Sequence, residues 1–413
     1  MIDSVRGVRD LFGDDARYYR FVEDTASEVF GMFGFTEIVL PVIEHTELFT
    51  RGIGDTTDIV TKEMYTFPDK KGRSLTLRPE GTAGVVRSYV QNGFDRSAPI
   101  QKLFYSGPMF LYERPQRGRY RQFYQIGVEA FGVQEVALDA DIIKMLADFL
   151  SALGINDIIV TINSIGCPAC RPVFNKALVD YLATKRGELC ADCNDRIDKN
   201  PLRVLDCKNE QCQAAIAGAP VIADHYCEEC STSFTELQRL LKCMNIDFNV
   251  NPRLVRGLDY YMRTVFEIAC AELGAQNAIV GGGRYDGLVA MLGGAPVPGI
   301  GFAFGVDRII EVLKEKGIEV PVKSRKVFIA WQLDDMSLLF RVADMLRKSG
   351  IQAEYVYERK SFKNQLKQAD KNNFNYVIFL GENEAKNETL HLKNMKTGEE
   401  FEIAVSLINE IIS

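Results

Sequence analysis

Apolar side chains recur at helical spacing through residues 16–33 (ARYYRFVEDTASEVFGMF), and the pattern closes on Gly34. A repeat of three to four predicts a helix with one face buried. FTEIVLPVIE is β-branched and broken by Pro41, so it reads as extended chain leading into the loop RGIGDTTD. SLTLRPEGTAGVVRSYV passes from alternation into helical spacing, and QKLFYSGPMFLYER and RQFYQIGVEAFG read as two strands flanking the polar turn RPQRGRY. Residues 139–153 predict an apolar helix and DIIVTINSIG a strand. LVRGLDYYMRTVFEIAC reads as a strand region, GGGRYDGL as a glycine loop opening a helix, and GIGFAFGVDRIIEVLKEKG as strand into helix. Beyond the proline-containing IEVPVKSRK, the best linker in the chain, the stretch KVFIAW, a helix at 336–349, IQAEYVY, a helix at 361–372 and NYVIFLGE alternate. That β-α-β-α-β order predicts a small α/β domain.

At roughly 150 residues per domain, a chain of 413 residues has room for two or three domains. Its 46% hydrophobic and 25% charged residues exclude a disordered polymer or a collagenous rod. No run approaches the length of a membrane span, and MIDSVRGVRD lacks the apolar core of a signal peptide, so a cytoplasmic protein without membrane contact is expected. A net charge of -7 disfavours indiscriminate phosphate binding and confines any nucleic-acid contact to local basic patches. Three histidines argue against His-rich metal sites and against Ser-His-Asp catalysis. Ten cysteines are unusual, and eight of them fall between Cys167 and Cys230.

The densest polar constellation lies between Leu77 and Glu129. Arg114, Arg117, Arg119 and Arg121 share one turn and its flanks. Strand periodicity puts Leu111 and Glu113 on one face, Tyr112 and Arg114 on the other. After the turn, Arg121, Phe123, Gln125, Gly127 and Glu129 share a face, which combines a cation, an aromatic ring, an amide and a carboxylate. Such a surface suits an anionic, aromatic and aminated ligand, although a solvated basic hairpin would carry the same arginines. RPEGT sets Glu80 and Thr82 at a helix start, where a carboxylate could hold an ammonium group. RGLDYY gathers Arg256, Asp259, Tyr260 and Tyr261, and GIGFAFGVDR ends on Arg308 at the beginning of a helix.

In this order the segments resemble the class II aminoacyl-tRNA synthetases, and over essentially the whole chain the histidyl-tRNA synthetase family. FGFTEIVLPVIEHTELFTR resembles the first, dimer-forming motif, with Pro41 in its place. FYSGPMFLYERPQRGRYRQF resembles the second and GIGFAFGVDR the third, while LVRGLDYY and GGGRYDG resemble the two motifs peculiar to the histidine enzymes. The resemblance implies an α+β catalytic domain at 1–320, an antiparallel sheet flanked by helices. It also implies that a cysteine-rich insertion at 164–245 interrupts this domain and that an α/β anticodon-binding domain follows at 325–413. It implies a cytoplasmic homodimer that joins histidine to ATP and passes the histidyl group to tRNA(His), with Mg²⁺ accompanying the triphosphate. Glu80 and Thr82 would hold the amino group, while Gln125, Glu129, Tyr260 and Tyr261 shape the histidine pocket. Arg256 would stand at the α-phosphate and also border the amino acid, Phe123 would stack on adenine, and Glu113 would read its amino group. Arg308 would take the γ-phosphate, with Arg114 and Arg121 as further ATP contacts. Gln116, Arg117 and Arg119 would approach the acceptor end of the tRNA.

One position departs from the pattern. The second motif ordinarily begins Phe-Arg-x-Glu, and here it is Phe110-Leu111-Tyr112-Glu113. Leucine cannot donate to a phosphate, so a slowed activation step is expected. The alternative is a catalytically impaired paralogue that regulates, senses histidine or binds tRNA.

The cysteines form four close pairs, Cys167/Cys170, Cys190/Cys193, Cys207/Cys212 and Cys227/Cys230. These fit two tetrahedral Cys₄ zinc sites, with spacing unable to say which pairs share a metal and a cross-brace equally possible, or else reduced thiols in a small helical insertion. Near the C-terminus Lys363, Lys367 and Lys371 repeat at every fourth residue along one helix face. Read alone, that stripe is a solvated face; in the resembled family it lies in the domain that binds the anticodon stem.

Overall fold

Two ten-residue strands, paired antiparallel from Gln101 opposite Phe131 to Phe110 opposite Gln122, lie within the larger sheet in the computed structural model. The structure describes residues 2–54, 57, 59–113, 119–270, 278–321 and 325–405. The chain divides into two compact units, Met1–Val320 and Pro321–Ser413.

The main sheet of the first unit has eight strands among the described residues: β1 (Thr36–Glu37), β2 (Gln101–Phe110), β3 (Gln122–Phe131), β4 (Ile158–Ser164), β5 (Phe248–Val250), β6 (Met262–Cys270), β7 (Ala278–Arg284) and β8 (Gly299–Gly305). Their spatial order is β1-β2-β3-β8-β7-β6-β4-β5. The six inner strands pair antiparallel, and the short edge strands β1 and β5 join parallel. Alternation along β2 and β3 separates two cores. Phe104, Ile126, Val128 and Ala130 face one side, where they meet Phe30 and Phe149 of the helices Asp14–Met32 and Ala137–Ala152. Leu103, Tyr105, Met109 and Phe131 face the other, against Tyr89 of the helix Thr82–Gln91 and the apolar residues of the insertion. Phe123, Gln125 and Glu129 share this second face by parity, and so the site lies there.

Gly281, Gly282 and Gly283 are strand residues of β7, not a loop. The reason is close approach: a Cβ at Gly282 would lie 2.6 Å from the Phe266 ring and from Phe302 Cβ. Only a one-turn helix, Leu288–Met291, follows. Arg284 ends β7 in a buried ion pair, its Nε donating to Asp139 Oδ1 at 2.8 Å, and its Nη atoms donate to the carbonyls of Val133 and Glu135. Both members are almost wholly out of solvent, so losing either would strand a charge at a cost of about 3–5 kcal/mol. The insertion is helical, with Cys170–Ala183, Ala191–Lys199, Glu210–Ile216 and Glu228–Cys243 as its main elements.

The second unit holds β9 (Lys326–Trp331), β10 (Gln352–Tyr355), β11 (Tyr376–Leu380), β12 (Thr389–Asn394) and β13 (Glu400–Ala404), ordered β10-β9-β11-β12-β13. The first three are parallel, with the helices Ser337–Lys348 and Phe362–Lys371 as crossovers; β12 and β13 add an antiparallel hairpin. Gln365 is buried under the second helix and bonds both the N–H and the C=O of Trp331. That anchoring turns Lys363, Lys367 and Lys371 outward, all exposed. No helix among the described residues is long and apolar enough to cross a membrane.

Candidate active site

Glu80 caps the helix Thr82–Gln91, its carboxylate accepting the N–H groups of Thr82 at 2.7 Å and Ala83 at 2.9 Å. Thr82 Oγ1 in turn donates to Glu129 Oε1 at 2.6 Å, and the hydroxyl of Tyr285 donates to the other oxygen of Glu129. Tyr105 donates to Gln125 Oε1 at 3.0 Å. The rings of Tyr260 and Tyr261 lie 4.7 Å apart, and Tyr285 meets Tyr260 edge-on at 5.7 Å. Three glycines make the room: a Cβ at Gly301 would strike the Glu129 carboxylate, and one at Gly127 or Gly81 would strike Tyr105. The result is a buried cluster of two carboxylates among tyrosines, next to the open surface at Gln125, with the chemistry to meet an ammonium group beside a flat polar ring.

Burial pushes the Glu129 carboxyl up to about 8, against the pull of the Thr82 and Tyr285 hydrogen bonds and with a further push from the charge of Glu80. Glu80 is raised as well, by burial, with its two N–H bonds opposing. Because the folded value of Glu129 lies above its ordinary 4.5, the stability it contributes is fully present below that pH and is lost as pH rises through about 8. Glu129→Gln should therefore flatten the fall in Tm of the ligand-free protein between about pH 5 and pH 8. Parallel wild-type and mutant curves would contradict it.

Beyond Gln125 the surface opens into a cleft of about 620 Å³ lined by Leu111, Glu113, Arg119, Phe123, Arg256, Glu267 and Arg308, with Asp206 and Lys208 of the insertion. Arg256 pairs with Glu267 of β6, and the absence of a side chain at Gly281 leaves space for its guanidinium. Arg308 stands in the first turn of the helix Val306–Glu315, where the helix dipole adds to its charge. The Nε atoms of Arg256 and Arg308 are buried and have no hydrogen-bond partner among the described residues. Unpaired buried donors cost free energy, and two at one cleft wall mark where an anionic ligand would restore the bonds.

The structure thus brings together Glu80, Thr82, Gln125, Glu129, Tyr260 and Tyr261 at one end, and Glu113, Phe123, Arg256 and Arg308 at the other. Leu111 and Glu113 do share the cleft wall, although regular pairing stops at Phe110. Arg121 does not join Phe123. The chain leaves the sheet before Gln122, and Arg121 stacks 3.9 Å over the ring of Tyr112 with its Nε donating to the Glu113 carbonyl at 3.3 Å. Arg119 reaches Glu113 at 3.4 Å. Arg114, Gln116 and Arg117 lie outside the described residues. Sequence reasoning missed Tyr105, Tyr285, Glu267, Asp206 and Lys208. Of these only Tyr285 carried a signal, since it stands within GGGRYDG.

In the insertion, Cys167, Cys170, Cys227 and Cys230 converge, as do Cys190, Cys193, Cys207 and Cys212; in each group all four sulfurs lie within 4.8 Å of one another. The first pair thus joins the fourth and the second joins the third, a pairing that spacing left open and that is not the cross-brace. The strand that enters the insertion and the helix that leaves it lie close together, Tyr226 donating to the Ser164 carbonyl at 2.7 Å, so the outer pairs meet and the inner pairs close within.

A mainly antiparallel sheet carrying a glycine-rimmed cluster of buried carboxylates and an arginine-lined cleft on one face defines the catalytic unit of a class II aminoacyl-tRNA synthetase. The sequence model described as Histidyl-tRNA synthetase matches residues 7–309, and that of an anticodon-binding domain matches residues 336–413. The chain is 48% identical to the histidine–tRNA ligase of Halothermothrix orenii over 99% of both chains, and 49% identical to that of Aquifex aeolicus over 98% of this chain and 99% of that one. The apo histidyl-tRNA synthetase of S. aureus superposes with a TM-score of 0.84 at 35% identity, covering the whole of each chain. The chain belongs to the histidyl-tRNA synthetase family.

Proposed function

We propose that this protein condenses histidine with ATP to histidyl-adenylate and pyrophosphate, and then transfers the histidyl group to the terminal ribose of tRNA(His). One observation carries the reading: a buried carboxylate cluster on one face of the sheet lies next to a cleft, with Gln125 bonded to the cluster's Tyr105 and lining the cleft, whose wall holds two unpartnered arginine nitrogens. The Glu80 and Thr82 end takes the α-ammonium. Glu129, Gln125 and the tyrosines take the imidazole, so the substrate carboxylate projects toward Arg256. Attack on the α-phosphate then needs alignment and charge stabilisation rather than a covalent protein group. Arg256 steadies the charge that builds on the α-phosphoryl oxygens, Arg308 holds the γ-phosphate, Phe123 stacks on adenine, and Glu113 accepts its amino group. Mg²⁺ carried by the triphosphate would add charge neutralisation, and Glu113, Glu267 and Asp206 are the cleft carboxylates available to a hard cation. Arg119 meets the acceptor end, the role the family resemblance also gives to Gln116 and Arg117 outside the described residues, and zinc sits on the thiols of the insertion. A cytoplasmic homodimer through the first motif is supported by the apolar Val39, Val42 and Ile43 left open along it.

Histidine-dependent ATP–pyrophosphate exchange, followed by charging of total tRNA, tests the reading. No exchange at micromolar enzyme would defeat it. In the second unit, Lys363, Lys367 and Lys371 are placed against the anticodon stem. Changing all three to alanine should weaken tRNA binding and lower the slope of log affinity against log salt by about 2, while leaving exchange without tRNA untouched. An unchanged slope would remove the helix from the tRNA interface.

A further inference from the structure

We propose that the eight insertion thiols hold two zinc ions in nested sites, and that the inner ion fixes the piece of insertion that supplies Lys208 to the nucleotide end of the cleft. This deepens the zinc and ATP-site parts of the proposed function and rests on them.

The geometry is that of mononuclear tetrathiolate centres. Zinc–sulfur bonds of about 2.3 Å at tetrahedral angles put sulfurs about 3.8 Å apart. Here Cys167 and Cys170 are separated by 3.6 Å, Cys167 and Cys227 by 3.8 Å, and Cys190 and Cys207 by 4.0 Å. An iron–sulfur cubane spreads its four thiolates farther, one to each iron. The backbone turns toward the sulfurs in both groups. Cys190 and Cys227 each precede a helix, Ala191–Lys199 and Glu228–Cys243, with Cys193 and Cys230 in the first turns. The N–H of Cys190 donates to Cys212 Sγ, and that of Cys227 to Cys170 Sγ, both at 3.1 Å. The inner Cys193, Cys207 and Cys212 lie within the larger apolar cluster, but the outer group lacks the apolar neighbours of thiols that merely fill a core. Cys167, Cys170 and Cys230 instead form a cluster of their own, joined only by Cys227 and Tyr226.

The inner group has a consequence in the active site. Cys207 is flanked by Asp206 and Lys208, an ion pair at 2.7 Å, and both line the cleft. Between the two inner pairs, Asn200 donates to Asp259 at 2.6 Å and Arg203 donates to the Gly257 carbonyl at 2.6 Å, bracing the segment that follows Arg256. An ion tying Cys190 and Cys193 to Cys207 and Cys212 therefore closes the stretch that holds both contacts. It also places an ammonium in a cleft where Leu111 offers no charge.

The full chain, purified without chelator, should contain two zinc per chain, with an X-ray absorption spectrum of four sulfurs at about 2.3 Å. Cys170→Ser with Cys230→Ser should leave one ion, as should Cys193→Ser with Cys212→Ser. Cobalt reconstitution of the wild type under reducing, anaerobic conditions should give thiolate-to-cobalt bands at two equivalents, which reads the sites even if a variant fails to fold. Zinc below half an equivalent with no cobalt bands, or bound iron instead, would overturn the metal assignment. Equilibrium binding of ATP tests the second half: Lys208→Ala and the inner-site variant should each weaken it about tenfold. Unchanged ATP affinity in both would overturn the link to the cleft. None of these readouts needs turnover, so an absence of pyrophosphate exchange would count against the enzymatic reading and not against zinc.

Discussion

Leu111→Arg should raise histidine-dependent ATP–pyrophosphate exchange by about 10²- to 10³-fold, the converse of removing one preorganised donor from a developing oxyanion at about 3–4 kcal/mol. Leu111 lines the cleft beside Glu113, across from Arg256, and can offer no hydrogen bond to phosphate. Its backbone N–H donates to the Arg121 carbonyl at 2.9 Å, so a longer side chain can be introduced without loosening the turn. The gain should appear in kcat more than in the KM for ATP, because the charge the arginine meets is greatest in the transition state. Leu111→Lys should recover less, since an ammonium lacks the planar fork that grips two phosphoryl oxygens. Leu111→Ala should recover nothing. Exchange unaltered in Leu111→Arg would mean that the side chain does not meet the α-phosphate, or that Arg256 with Lys208 already saturates the need for positive charge; a normal wild-type rate would point to the second.

How far the sequence carries depends on the range of the interaction being read. Alternation in β2 and β3 is local, and it put Phe123, Gln125 and Glu129 on one face and Leu111 with Glu113 together on one side of their strand, as found, with Leu111, Glu113, Phe123 and Gln125 lining one cleft. The same rule failed at Arg121, where the partner strand had ended and the Tyr112 ring offered the guanidinium a stacking surface. The glycine triplet was misread because Gly, Gly, Gly is locally a loop signal. Its reason is tertiary: Phe266, Phe302 and Arg256 occupy the volumes that side chains would fill. Cysteine spacing named four pairs correctly but could not say which pairs meet, since that depends on how closely Ser164 and Tyr226 bring the two ends of the insertion. Lys208 and Asp206 reach the cleft for the same nonlocal reason and left no trace in the pattern.

Arg256→Ala should lower exchange by about 10²–10³-fold, again mainly in kcat, while histidine affinity changes less. Its guanidinium is held from one side by Glu267, and its Nε is buried without a partner, a donor kept for a ligand. Truncation would also leave Glu267 without its counter-charge, so Arg256→Ala alone mixes lost catalysis with local disorder. Gly281→Ala separates the two. The new methyl would collide with the guanidinium of Arg256, and the far end of a long side chain can swing aside at little cost in stability. Gly281 lies in β7 paired to both neighbours, with Glu267 on one side and Ala303 on the other, and alanine is tolerated in such a strand. The variant should therefore keep a Tm within a few degrees of wild type and still lose most of its exchange activity, with every other residue of the cleft intact. If Gly281→Ala retains full activity, Arg256 is not needed where the structure holds it, and the α-phosphate must be met by another group.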